Sequence, residues 1–204
     1  MPDPQPYQVI RDATDSLFKV LDAATVTGGL LDGVRLDVAT PYDSYTPSFP
    51  TVTLWLYRVA ENTLLRNRDR VRMPNPAAPD DPNQFYESEP PLGLELYFML
   101  IPWHKTPAEE HELLGRVVQL FYGNRSLSPE LLSNYLRVQG TTLGIQMLTA
   151  EELRLEDQTR LWDSVGRKFR LSASYRVRGV KMEAPSAAAR GRVTATAAGF
   201  RPES

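Results

Sequence analysis

The 204-residue chain contains no cysteine, two histidines, no apolar run of membrane-spanning length and no excess of one charge. Without cysteine there are no disulfides, no thiolate nucleophile and no thiolate zinc site. A helix needs about 20 apolar residues to cross a bilayer, and no stretch approaches that. The start, MPDPQPYQVIRDATD, lacks the charged-then-apolar layout of a secretion signal, so the compartment expected at assembly is the cytoplasm. Lys+Arg number 23 and Asp+Glu 25, a net charge of −2. No global field therefore recruits nucleic acid or an anionic membrane. No G-x-S-x-G elbow, P-loop or G-x-G-x-x-G occurs either.

The two histidines carry any acid–base chemistry near neutrality. His111-Glu112-Leu113-Leu114 resembles the start of a His-Glu-x-x-His zinc helix, but Gly115 stands where the second ligand belongs. His111 is then expected as an exposed residue in the first turn of a helix. His104 lies between Trp103 and Lys105 and is read as a solvated joint residue rather than a general base. Glu109 and Glu110 fall at a helix N-terminus, where the helix dipole explains them. The expectation is no catalytic, cofactor-binding or metal-binding residue, and no enzyme.

What is present is an ordinary globular composition, 42% hydrophobic and 24% charged, with 17 clustered prolines. Residues 7–25 place Ile10, Ala13, Leu17, Leu21 and Ala24 at helical spacing. A short strand around Val34, Leu36 and Val38 precedes the proline-bracketed loop 41–50. In 51–59, TVTLWLYRV, Val52, Leu54 and Leu56 share one strand face, and Trp55, Tyr57 and Val59 the other. With neither face polar, this strand should be central and covered on both sides. LGLELYFMLIPW carries an unbroken apolar face, Leu92, Leu94, Leu96, Phe98 and Leu100. Its other face turns apolar from Tyr97 through Met99, Ile101 and Trp103, which predicts a cover there too.

Thr106 as N-cap, Pro107 at the first position and Glu109 form a capping box for a helix ending at Gly123. Its core side is Leu113, Leu114, Val117, Val118 and Phe121. Ser128-Pro129-Glu130 predicts a shorter helix through Leu136, followed by the strand TTLGIQML. Asp157 is read as the cap of a helix carrying Leu161, Trp162 and Val165. The last strand, 168–178, puts Phe169, Leu171, Ala173, Tyr175 and Val177 inward. Lys168, Arg170, Ser172, Ser174, Arg176 and Arg178 face outward, so this face is solvated or meets an acidic partner. Together these elements predict one α+β domain over 1–183, a mostly antiparallel sheet with packed helices.

Two segments make little core. In 61–91, Arg66, Arg68, Arg70 and Arg72 recur at every second position and share a side if extended, about 7 Å apart. Glu87 and Glu89 on the return, with Asp80 and Asp81 at the tip, answer them across a projecting hairpin, at about 0.2–1 kcal/mol per pair. Nucleic acid is the weaker reading of these arginines. Residues 184–204 are a small-sided tail, in which Val193-Thr194-Ala195-Thr196 suits pairing on a sheet edge. Projections of this kind find their stability against another chain, as in a subunit.

The order of the segments TVTLWLYRVAENTLLRN, PPLGLELYFMLIPW, EEHELLGRVVQLFY and LWDSVGRKFRLSASYRVRGV resembles the N-terminal domain of cap, or tail-terminator, proteins of phage-tail-like extracellular contractile injection systems. The pieces Leu56 to Asn62 and Glu110 to Gly115 are the most distinctive. The resemblance implies a structural ring, commonly a hexamer, on the end of the inner tube and its sheath. Such a ring ends polymerisation and ties sheath to tube. The implied partners are further copies of the chain, the inner tube protein and the sheath protein. The contact residues expected on this reading are Arg66, Arg68, Arg70, Arg72, Arg170, Arg176, Arg178, Val193, Thr194 and Thr196, with the tail adding a strand to a sheath subunit or a neighbouring cap. Two alternatives stay open: a tail-completion protein of a contractile phage or prophage, and a non-enzymatic adaptor.

Overall fold

The computed structural model describes residues 5–42, 44–63, 71–74, 85–88 and 90–183. A 3-10 turn at Pro6–Gln8 leads into α1 (Val9–Asp22), narrower at both ends than the predicted 7–25. Its apolar stripe of Val9, Ala13, Leu17, Val20 and Leu21 is buried, the side facing the core at helical spacing. After Asp22 the chain closes through turn hydrogen bonds, Ala24 N–H to Leu21 O and Thr25 N–H to Asp22 O.

The strands are β1 (Arg35–Val38), β2 (Thr51–Glu61), β3 (Val71–Pro74), β4 (Phe85–Ser88), β5 (Leu92–Trp103), β6 (Ser126–Leu127), β7 (Leu143–Met147) and β8 (Ala173–Met182). Six of them form one sheet in the order β1-β2-β5-β8-β7-β6. β1 runs parallel to β2 and the other pairings are antiparallel. β3 and β4 pair separately as an antiparallel ladder that sets Arg72 opposite Glu87.

Two bulges break the alternation read from sequence. Between Leu56 and Arg58 the β2–β5 register slips, so Leu56 pairs Phe98 while Val59 pairs Leu96. Val59 therefore shares the face of Leu56, not that of Tyr57 as predicted, and it is exposed. The extra residue bends the strand, and cover on both faces holds for 51–55 but not for the rest of β2. A second slip sets Arg178 and Gly179 against Glu95. Gly179 has φ +92°, and a Cβ there would stand 2.3 Å from the Thr142 carbonyl oxygen. Only glycine fits this bulge.

One sheet face carries Leu94, Leu96, Phe98 and Leu100 of β5, with Val52 and Leu54 of β2 and Ala173, Tyr175 and Val177 of β8. Leu92, expected at the head of that row, is exposed at the sheet end. Helix α1 covers this face with α2 (Pro107–Gly123) and α3 (Asn134–Val138). The predicted capping box forms: Thr106 Oγ1 accepts from Glu109 N–H, and Thr106 N–H donates to Glu109 Oε2. The helix predicted from Ser128 through Leu136 is instead a 3-10 turn, Pro129–Leu131, and the separate α3. Leu132 and Ser133 between them are extended, which buries Leu132.

The opposite face holds Met99, Ile101, Trp103 and Trp55 under Trp162 and Val165. Trp162 belongs to α4 (Leu155–Ser164) and is fully buried. This is the cover required by the far half of β5. Burial of such a side chain contributes about 2 kcal/mol. Asp157 lies inside the first turn of α4 and is not its cap; Arg154 occupies that position. The last strand also starts later than predicted. Residues 168–172 lie outside it, and Phe169 and Leu171 are exposed rather than inward-facing.

Candidate functional site

The topology puts the points where segments 62–91 and 184–204 leave the domain at one end of the sheet. Asn62 N–H donates to Gly93 O, and Leu92 pairs with Met182, so β2 ends and β5 begins beside the end of β8. The β3–β4 arm is inserted there, between Glu61 and Leu92, and residues 184–204 follow from the same end. Arg66, Arg68, Arg70 and the tail residues Val193, Thr194 and Thr196 lie outside the described residues. Arg72 is described only by its backbone pairing with Glu87.

Next to this end, the sheet face not reached by α4 is polar. Arg176 donates to Glu152 Oε1 at 2.7 Å and to Gln146 Oε1 at 3.0 Å. Arg178 lies 3.4 Å from Glu95 Oε1, and Tyr97 donates to Glu95 Oε2. Arg58 stacks over the Tyr97 ring at 5.1 Å. The Thr149 backbone N–H, with Arg176 adding, holds the Glu152 carboxyl below the usual carboxylate range. The acidic partners that the outward arginines of β8 require are thus supplied by this chain. Arg170, from the same predicted row, pairs with Glu110 at the other sheet end. The sequence pattern identified these cations but not their anions, which are 24 to 83 residues away. Only the folded register brings Glu95, Glu110 and Glu152 to them.

The far sheet end gathers around Trp103. Its indole N–H donates to Thr53 Oγ1 at 2.9 Å, and Tyr45 meets its ring edge-on at 5.2 Å. Burial, with Asp37 beside the hydroxyl, pushes the Tyr45 phenol up to about 12. Arg167 and Arg170 lie over the indole, 5.0 and 4.5 Å from its ring centroid. Arg167 also donates to the carbonyls of Tyr42 and Tyr45, tying the loop 41–50 to the segment before β8.

The two histidines lie just before and within α2. His104 Nδ1 is 2.6 Å from Glu109 Oε2, the oxygen that also accepts from Thr106, so the ring extends the capping box. This makes His104 a partly buried member of the joint rather than a solvated one. His111 is exposed on α2, as expected. Among the described residues no three His, Asp or Glu side chains are grouped to hold a metal ion. No described helix is long and apolar enough to cross a membrane.

The Pvc16 N-terminal domain family matches residues 13–196 of the chain. No curated protein matches it. Among solved structures, the chain is similar to the sheath/tube terminator of PVC, an extracellular contractile injection system, in its extended state. Their TM-score is 0.63 at 19% identity, over 96% of this chain and 64% of that one. It is also similar to the anti-feeding prophage cap, a tube-terminating cap, with a TM-score of 0.58 at 18% identity over 94% of this chain and 61% of that one. At these identities the likeness is one of fold. The chain spans less than two thirds of the length of either structure.

Proposed function

The chain belongs to the Pvc16 N-terminal domain family, and on that premise we propose that it is a structural cap of a contractile injection system. In this reading copies of the chain form a ring, a hexamer, on the end of the inner tube and sheath. The ring ends polymerisation, ties sheath to tube and performs no catalysis. The observation that carries the reading is the sheet with its helix layers, shared over nearly the whole chain with a sheath/tube terminator. The α+β domain supplies a folded body, and from its sheet end leave two segments whose sequences offer little core. A particle assembled in the cytoplasm and then released is consistent with this role. A tail-completion protein of a contractile phage would differ only in its particle.

The cap role is tested by polymerising purified tube protein with and without the chain. Tubes should stop growing at one end when the chain is present, with a ring seen on that end. Unchanged growth at both ends would contradict the proposal.

A further inference from the structure

At the Trp103 end of the sheet a cleft of about 290 Å³ opens between residues 46–50 and the pair Arg167 and Arg170. Its walls are Pro47, Phe49 and Trp103, and Phe49 is 53% exposed although large and apolar. Arg170 lies over Trp103 and is anchored by Glu110, while its Nε is buried with no partner among the described residues. Lys105 is exposed on the lining. Arg167 is engaged on backbone carbonyls and adds charge rather than a free fork. Rigid prolyl and aromatic walls take up proline-bearing extended segments. Guanidinium and ammonium donors beside them select carboxylates.

The chain itself carries such a segment. Residues 74–82, PNPAAPDDP, have prolines at 74, 76, 79 and 82 and two adjacent carboxylates, Asp80 and Asp81. The prolines rule out helix and lower the ordering cost of binding in an extended form. We propose that segment 74–82 of one copy seats in the Trp103 cleft of a second copy. This rests on the ring reading given above. A closed ring needs two different, complementary surfaces on every subunit. The arm enters β5 at Leu92 and the cleft lies at Trp103. Those are opposite ends of a 12-residue strand, about 36 Å apart at about 3.3 Å per residue. The attachment of the arm and the cleft therefore lie at opposite ends of one strand.

The test is fluorescence anisotropy of a labelled peptide of residues 74–84, titrated with the full chain. Saturable binding is expected, at least tenfold weaker for the peptide carrying D80N and D81N. Binding should weaken at least tenfold with the chain variant Lys105→Glu, which alters an exposed side chain and spares the fold. Excess unlabelled peptide of residues 74–84 should compete. No saturable binding, which would include an arm seated in its own copy's cleft, overturns the proposal. Equal binding of a scrambled peptide with the same charges overturns it too, since the cleft would then take any acidic segment. Neither result bears on tube termination, so failure here is distinguishable from failure of the cap reading.

Discussion

Asp12 is fully buried on α1, and its two carboxylate oxygens accept from Asn134 Nδ2 at 3.1 Å and Tyr135 N–H at 3.0 Å. One turn on, Ser16 Oγ accepts from Ser133 N–H at 3.0 Å. Two side chains of the first helix thus satisfy the start of α3, more than a hundred residues away. No local pattern could show this, because Asp12 and Ser16 read as ordinary polar positions of an amphipathic helix. Asp12→Ala should destabilise the domain by about 2 kcal/mol, the cost of leaving buried donors unpaired, as measured by urea unfolding. A change indistinguishable from zero would remove this contact from the account. Leu96, fully buried in mid-strand, gives the larger effect. Leu96→Asp places an unpaired carboxylate in the core at a cost of several kcal/mol, comparable to a domain's whole stability. It should abolish cooperative unfolding, whereas His111→Ala should leave melting and tube capping unchanged. A folded His111→Ala protein that failed to cap would reopen histidine chemistry.

Among the elements, α2 and β5 were the most legible, and for different reasons. The signals of α2 are local: the Thr106–Glu109 box and an apolar stripe at Leu113, Val117 and Phe121. β5 was legible because both faces of its far half are apolar, which demanded the cover that Trp162 provides. The phase of β2 past Tyr57 and the start of β8 were not legible. A bulge is a property of two paired strands, and the start of β8 is likewise set by its pairing, with Ala173 opposite Leu100 and Tyr175 opposite Met147. The cation row was visible in sequence, but its carboxylates depended on tertiary register. The capping box also predicts a pH dependence. Donation by the Thr106 hydroxyl, with His104 adding, lowers the Glu109 carboxyl below its ordinary value of 4.5. A depressed carboxylate stabilises the fold above its unfolded value and loses that contribution as pH falls through the folded one. Glu109→Gln should therefore lower Tm well above pH 4.5, with the gap closing as the pH drops below it. A gap that persists in acid would mean that the charge plays no part. For the tail, ending the chain at Glu183 should leave a folded domain that attaches more weakly to the particle end. Pull-down on purified particles checks this, and unchanged attachment would show the tail to be dispensable.

On the scale of the whole molecule, the α+β body holds the attachment points of segments 62–91 and 184–204 at one end of its sheet and an aromatic, basic cleft at the other. Reversing Arg66, Arg68, Arg70 and Arg72 to Glu should then spare the circular dichroism of the body and impair assembly. The central claim is termination, and the length distribution of particles from cells with and without this gene tests it most directly. Negative-stain imaging should show longer particles, or particles fraying at one end only, in the deletion, and the gene restored in trans should return normal lengths. Particles of normal length with closed ends in the deletion would contradict the account.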